Sequence, residues 1–342
     1  MDLSYIRMPS AQKHAALLSY AAQDPFFEKV LNDLGDFGHE VSFSFWGGAG
    51  AYIPFAVQTE ALDTPTKQAQ FYQGFWKITE SGQFKARFRL SSLMGVHGNA
   101  HSFLHELMHF YQDMYGLYLL PIQEEGAFPV ILDAYSDIVA ILFCEAYAQV
   151  EAIRASWRLL QSGNDLGWRG ALSSPDWAGM AKVYEQDLQS GMAEEEAASQ
   201  ALRYWYQGKH RHFYERHALQ AYEQNFRRYG KELGANKTND VSQFQRSLKI
   251  PMLLARLPQD DVPAYLKKTD WGDPLFTDIQ NPKVRKKLLV LEGQHGQADS
   301  DNIQDIKCGT PAYIWHRLRM DAQNNADVPP MDMQSILKSQ GQ

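Results

Sequence analysis

Residues 105–109 read His105-Glu106-Leu107-Met108-His109, inside the proline-free run AHSFLHELMHFYQDMYG. Two histidines four residues apart share a face only if the stretch is helical, where positions i and i+4 lie about one turn apart. The two imidazoles can then converge on one tetrahedral ion. Glu106, beside the first histidine, points to the flank of that ion, where a carboxylate can take a proton from activated water and return it to a leaving amine. With 11 histidines in 342 residues, a shuffled chain would contain this pattern with a probability of about 2%, and many such matches would fall outside helices. The chain is therefore expected to build a helix whose one face carries His105 and His109 as metal ligands and Glu106 as a general base.

His101 extends the row to i, i+4, i+8. The outer pair would stand about 12 Å apart along the axis, against a Zn–N bond of about 2.1 Å, so the three cannot share one ion. His101 is expected to support the site or the fold, and His97 has a weaker claim still. A catalytic zinc usually keeps three protein ligands and one open position. After His109 come Phe110, Tyr111 and Gln112, so the pattern HExxHxxGxxH is absent. A carboxylate from a later helix is the common alternative. Glu145 sits among Ile141, Leu142, Cys144 and Ala148, with no lysine or arginine within one helical turn, and a metal would compensate its burial. Glu151 has Arg154 three residues on and is expected to pair with it at the surface. Glu124 and Glu125 read as loop residues. Asp133 and Asp137 are candidates to hydrogen-bond metal-binding histidines.

Before the motif, a helical pattern over about 10–34 precedes the β-like runs VSFSFWG, AYIPFAVQT, FYQGFWKI and FKARFRL. In the last, Phe84, Ala86, Phe88 and Leu90 alternate with Lys85, Arg87 and Arg89. Asn99 reads as the N-cap of the motif helix and Gly116 as its stop. Beyond it the chain is almost entirely helix-compatible, with Gly163, Gly208 and Gly230 as breaks. The expected organisation is a mixed α/β subdomain over 1–127 with an edge strand and the HExxH helix, a helical subdomain over 128–322 that supplies the third ligand, and a polar tail over 323–342.

The sequence HELMH, with CEAYAQVEA on the next helix as the source of a glutamate ligand, resembles the gluzincin group of zinc metallopeptidases. The segment AKVYEQDLQSGMAEEEAASQALRYWYQ is similar to the helix-rich region of a bacterial family of uncharacterised proteins described as metallopeptidases. CEAYAQVEA departs from the NExxSD signature of the gluzincins. The resemblance implies a zincin-like α+β fold, mostly helical, with a small antiparallel sheet packed on the HExxH helix. It also implies peptide hydrolysis with Zn2+, ligated by His105, His109 and Glu145. In such folds a strand ahead of the active helix pairs with extended substrate. FKARFRL fits that place, and its basic face would favour acidic peptides or simply be solvated edge charge. A metal-binding scaffold without catalysis and a metal-dependent hydrolase of a non-peptide substrate stay open.

A formal charge of −7 and a pI near 5.9 give no basic field that would concentrate nucleic acid or anionic membrane. The most apolar window contains Asp133, Asp137 and Glu145, which are costly in a bilayer. The first residues lack a signal-peptide pattern, and two cysteines do not make a disulfide framework. A cytoplasmic protein is expected, with peptide or protein as substrate. The histidines of KHRHFYERH read as a solvated face, and Tyr111, Tyr135 and Tyr147 carry no assigned role.

Overall fold

Pro25 divides the N-terminal helical pattern in two. In the computed structural model, which describes residues 10–36, 40–46, 51–53, 85–91, 95–117, 131–232 and 245–295, α1 spans Ser10–Ala21 and α2 spans Pro25–Asp36. The expected single helix fails because Asp24 caps a new one. Its Oδ1 accepts from the amides of Phe26 and Phe27 at 3.1 and 3.2 Å, and Pro25 follows at the first helical position, where a missing N–H costs nothing.

The described residues are mostly helical. The chain divides into two compact units, one comprising Met1–Met114, Ala155–Ala171 and Thr310–Gln342, the other Tyr115–Arg154 and Leu172–Gly309. In the first, strands β1 (Glu40–Trp46), β2 (Ala51–Ile53) and β3 (Lys85–Ser91) form a sheet in the order β1-β3-β2. β1 runs parallel to β3, with Phe43 opposite Phe88, and β2 runs antiparallel to it, with Tyr52 opposite Phe88. The expected antiparallel sheet is therefore mixed. β1 and β2 run in opposite directions, so a strand inserted between them must be parallel to one. For the same reason β3 is central and not the expected edge strand. The run FYQGFWKI and most of AYIPFAVQT lie outside the described residues.

Phe88 and Leu90 are buried and turn toward α3 (Val96–Met114), where Phe88 meets Phe103 edge-on at 5.4 Å. α3 packs against α1, α2, β2 and β3, and every residue from Asn99 to Met114 is buried. A helix enclosed on all sides needs apolar residues all round, and those of its polar residues that carry no solvent must be there for another reason. The helix starts at Val96, so Asn99 lies within it and is not its N-cap. Its amide instead donates to the carbonyl of Ser91 at 3.0 Å, tying the helix to the end of β3. The stop is as expected: Gly116, just beyond the helix, has φ 70°, a conformation glycine adopts without strain.

The first unit is closed by the end of α4 (Ala134–Gln161) and by α5 (Leu166–Ser173). Arg158 of α4 donates to the buried carboxylate of Asp24 at 2.8 Å, and the amide of Gly167 donates to Tyr20 Oη at 3.0 Å. α5 packs closely through its glycines. A Cβ at Gly170 would stand 2.0 Å from the carbonyl oxygen of His97.

In the second unit, Asp133 caps α4, accepting from the amide and the hydroxyl of Ser136 at 2.8 Å each. A parallel pair, β4 (Ile131–Leu132) and β5 (Gln245–Arg246), joins it nearby. α6 (Ala178–Gln189) packs on α7 (Glu194–Gln207), and α8 (Lys209–Glu232) follows after Gly208. α8 continues through Gly230, which is not the expected break, because nothing in a helix interior forbids a glycine; it only lowers the propensity. The short helices α9 (Ile250–Leu254), α10 (Ala264–Lys268) and α11 (Pro274–Thr277) lead to α12 (Pro282–His295). Arg211 and Glu215, both fully buried, pair at 3.0 Å, and Glu215 also accepts from the amides of Gln280 and Asn281. Among the described residues no helix is long and apolar enough to cross a membrane.

Candidate metal centre

α3 brings His105 and His109 together. Their Nε2 atoms face each other at 3.0 Å and their rings stand edge-to-face with centroids 4.5 Å apart. Both are nearly enclosed, at 8% and 5% exposure, and Glu106 between them is 4% exposed. On the far side of the His109 ring, Nδ1 lies 2.9 Å from Oε1 of Gln112, a residue with no exposed surface. Gln112 is not among the site residues expected from the sequence. The signal was its spacing: three residues after His109 on a helix is within side-chain reach.

His105, His109 and Glu145 each offer one ligand atom, and these atoms all lie within 4.8 Å of one another. Two imidazole nitrogens and a carboxylate oxygen are a donor set that zinc accepts, and around an ion with bonds of about 2.1 Å they would be separated by about 3.4 Å. The histidine nitrogens at 3.0 Å would open by a few tenths of an ångström, and the carboxylate oxygen would close by at most about 1.4 Å, within the reach of a side-chain rotation. The residues present therefore fit a tetrahedral metal with a further position open.

The other candidates have separate roles. His101, fully buried, places Nδ1 3.0 Å from Ser156 Oγ. Burial pushes its pKa down to about 3, helped by the neighbouring His105, so it is a neutral polar link within the core. His97 is in the first turn of α3 rather than in a loop. Asp133 is engaged in capping α4. It is 12 residues from Glu145, about 18 Å along the helix axis, too far to reach a histidine sharing an ion with Glu145. Burial, reinforced by Asp133, pushes the Asp137 carboxyl up to about 7.

Glu151 does pair with Arg154, at 3.0 Å, but not at the surface: the two side chains are 6% and 9% exposed. Tyr265 donates to the same carboxylate at 3.0 Å, and Glu194 and Glu195 of α7 complete the cation's partners. Those groups arrive from downstream helices and cover the pair. His212 and His217 are exposed, and His210 lies 3.4 Å from Asp176. Tyr135 donates to the carbonyl of Thr277, Tyr111 packs on Phe26 and Tyr147 on Phe143. Cys144 is buried. Glu124, Glu125, Cys308 and the expected tail lie outside the described residues.

No curated protein and no solved structure matches the chain. A family model described as "Putative metallopeptidase family (DUF6782)" matches residues 86–240, a stretch that contains His105, Glu106, His109, Gln112 and Glu145. Over those residues the chain is similar to that family, and the similarity supports a metallopeptidase.

Proposed function

We propose that this chain is a zinc-dependent metallopeptidase in which His105, His109 and Glu145 hold the ion and Glu106 is the general base. The observation that carries the reading is the convergence of two enclosed imidazoles and a carboxylate, within 4.8 Å of one another, beside a buried glutamate on the same helix. Bound zinc would supply Lewis acidity, activating water near neutral pH and polarising a peptide carbonyl.

The chain's own residues do the rest. Glu106 follows His105 directly, so its carboxylate flanks the ligand face of α3 and can accept a proton from the attacking water and return it to the departing amine. Its enclosure, with 4% exposure, limits competition from bulk water for that proton. The core packing that buries α3 fixes the two imidazoles before any ion arrives, so little side-chain entropy is lost on loading. The similarity to a metallopeptidase family over 86–240 supports a peptide bond as the substrate.

Glu106→Gln tests the assignment, because it keeps the shape of the side chain and removes the base. The zinc-loaded variant should retain its metal and lose cleavage of a peptide library by at least about 100-fold. Cleavage at the parental rate would reject Glu106 as the base.

A further inference from the structure

We propose that Gln112 is a positioning residue of the metal centre: its amide oxygen holds His109 as the Nδ1–H tautomer and keeps the Nε2 lone pair directed at the ion. The proposal rests on the metal site described above and goes beyond its ligands. A neutral imidazole carries one proton on one of two nitrogens, and only the bare nitrogen can ligate. Nδ1 of His109 is 2.9 Å from Gln112 Oε1, and an amide oxygen can only accept. The proton is therefore on Nδ1, and Nε2 is bare.

The contact is built to last. Gln112 has no exposed surface and His109 is 5% exposed, so water does not compete for the hydrogen bond. Both residues are on α3, one turn apart, so the acceptor moves with the ligand it orients. A buried amide that lost this partner would bear a desolvation cost of its own, which opposes rotation of either side chain.

One consequence separates the two histidines. The Nε2 atoms are 3.0 Å apart, and with His109 Nε2 bare, the complementary arrangement in the metal-free protein has the Nε2–H of His105 donating to it. Loading the ion then requires His105 alone to move its proton from Nε2 to Nδ1. No proton is gained or lost by the pair. His109 is preset, and His105 switches.

Nitrogen NMR of the histidine rings in the metal-free full chain should find His109 as Nδ1–H and His105 as Nε2–H, and zinc should change the tautomer of His105 only. Gln112→Met, similar in volume but without the acceptor, should erase the His109 preference and weaken zinc binding, read by chelator competition, by about 10–100-fold. Gln112→Glu, whose carboxylate can only accept, should restore the Nδ1–H form and near-parental affinity. An Nε2–H form of His109 in the metal-free parent would overturn the proposal without recourse to any variant. So would parental zinc affinity in Gln112→Met, or a Gln112→Glu protein as weak as Gln112→Met. These results differ from failure of the metal site itself, in which the parent takes up no zinc at all.

Discussion

Arg154→Met breaks a buried ion pair of α4, and the cost follows from which partners are buried. Arg154 reaches three carboxylates: Glu151 at 3.0 Å, Glu194 at 3.1 Å and Glu195 at 2.5 Å. The last two are 42% and 33% exposed, so water replaces the lost partner and each contributes at most about 1 kcal/mol. Glu151 is 6% exposed. Removing its cation leaves a buried charge whose remaining hydrogen-bond partner among the described residues is the Tyr265 hydroxyl, and a broken buried pair costs about 3–5 kcal/mol. Urea unfolding should register that loss against the parent. The double variant Glu151→Met/Arg154→Met removes the stranded charge and leaves mainly an unpaired Tyr265 hydroxyl, worth about 1–3 kcal/mol. It should therefore be more stable than Arg154→Met alone. A double variant that is less stable than the single, or a single variant within about 1 kcal/mol of the parent, would show that Glu151 is not stranded by loss of Arg154.

Asp137 gives a pH signature. Its carboxyl is pushed up to about 7 in the folded chain from an ordinary value of 3.8, so between these values the folded state holds a proton that the unfolded state has released. Its contribution is fully present below about pH 4 and is lost as pH rises through 7, a change on the order of 2–4 kcal/mol. Asp137→Asn should raise the urea midpoint at pH 8 relative to the parent and leave it nearly unchanged at pH 4; an equal effect at both would contradict the burial argument. Gly170→Ala should cost about 1–3 kcal/mol, because the new Cβ would lie 2.0 Å from backbone atoms of His97 that cannot rotate aside. Gly95→Ala, where a Cβ meets nothing within 4 Å, is the control, and equal thermal stability of the two variants would show that α5 and α3 do not touch as described.

The motif helix was legible because its chemistry and its geometry share one period: histidines at i and i+4 are useful only on a helix, and the flanking residues are apolar enough to bury it. The strands at 40–46, 51–53 and 85–91 were legible from alternation, but their order was not. Alternation reports which face of a strand is apolar and is silent about which strand lies beside it, so nothing in FKARFRL distinguishes an edge strand from the middle strand that β3 is. Local competition explains other differences. Asp24-Pro25 opens a second helix inside an otherwise continuous pattern, and Asn99 has a nearer use at the carbonyl of Ser91 than as a cap. Glu151 and Arg154 were visible as neighbours, whereas the groups that bury them come from Glu194, Glu195 and Tyr265, far along the chain. Gln112 carries only a weak signal, its spacing three residues after His109; many helical residues share such a spacing, and the 2.9 Å contact singles this one out. The two units each take in separated stretches, with the division at Arg154 and Ala155 inside one continuous helix. A reading that proceeds along the chain has no signal for that.

Whether His105, His109 and Glu145 hold a zinc ion is read from the metal content of the purified full chain by elemental mass spectrometry. About one zinc per chain is expected in the parent, none in His105→Ala or His109→Ala, and weakened retention in Glu145→Ala. Stoichiometric zinc that persists in both histidine variants, or a folded parent that takes up none, would contradict that ligand set.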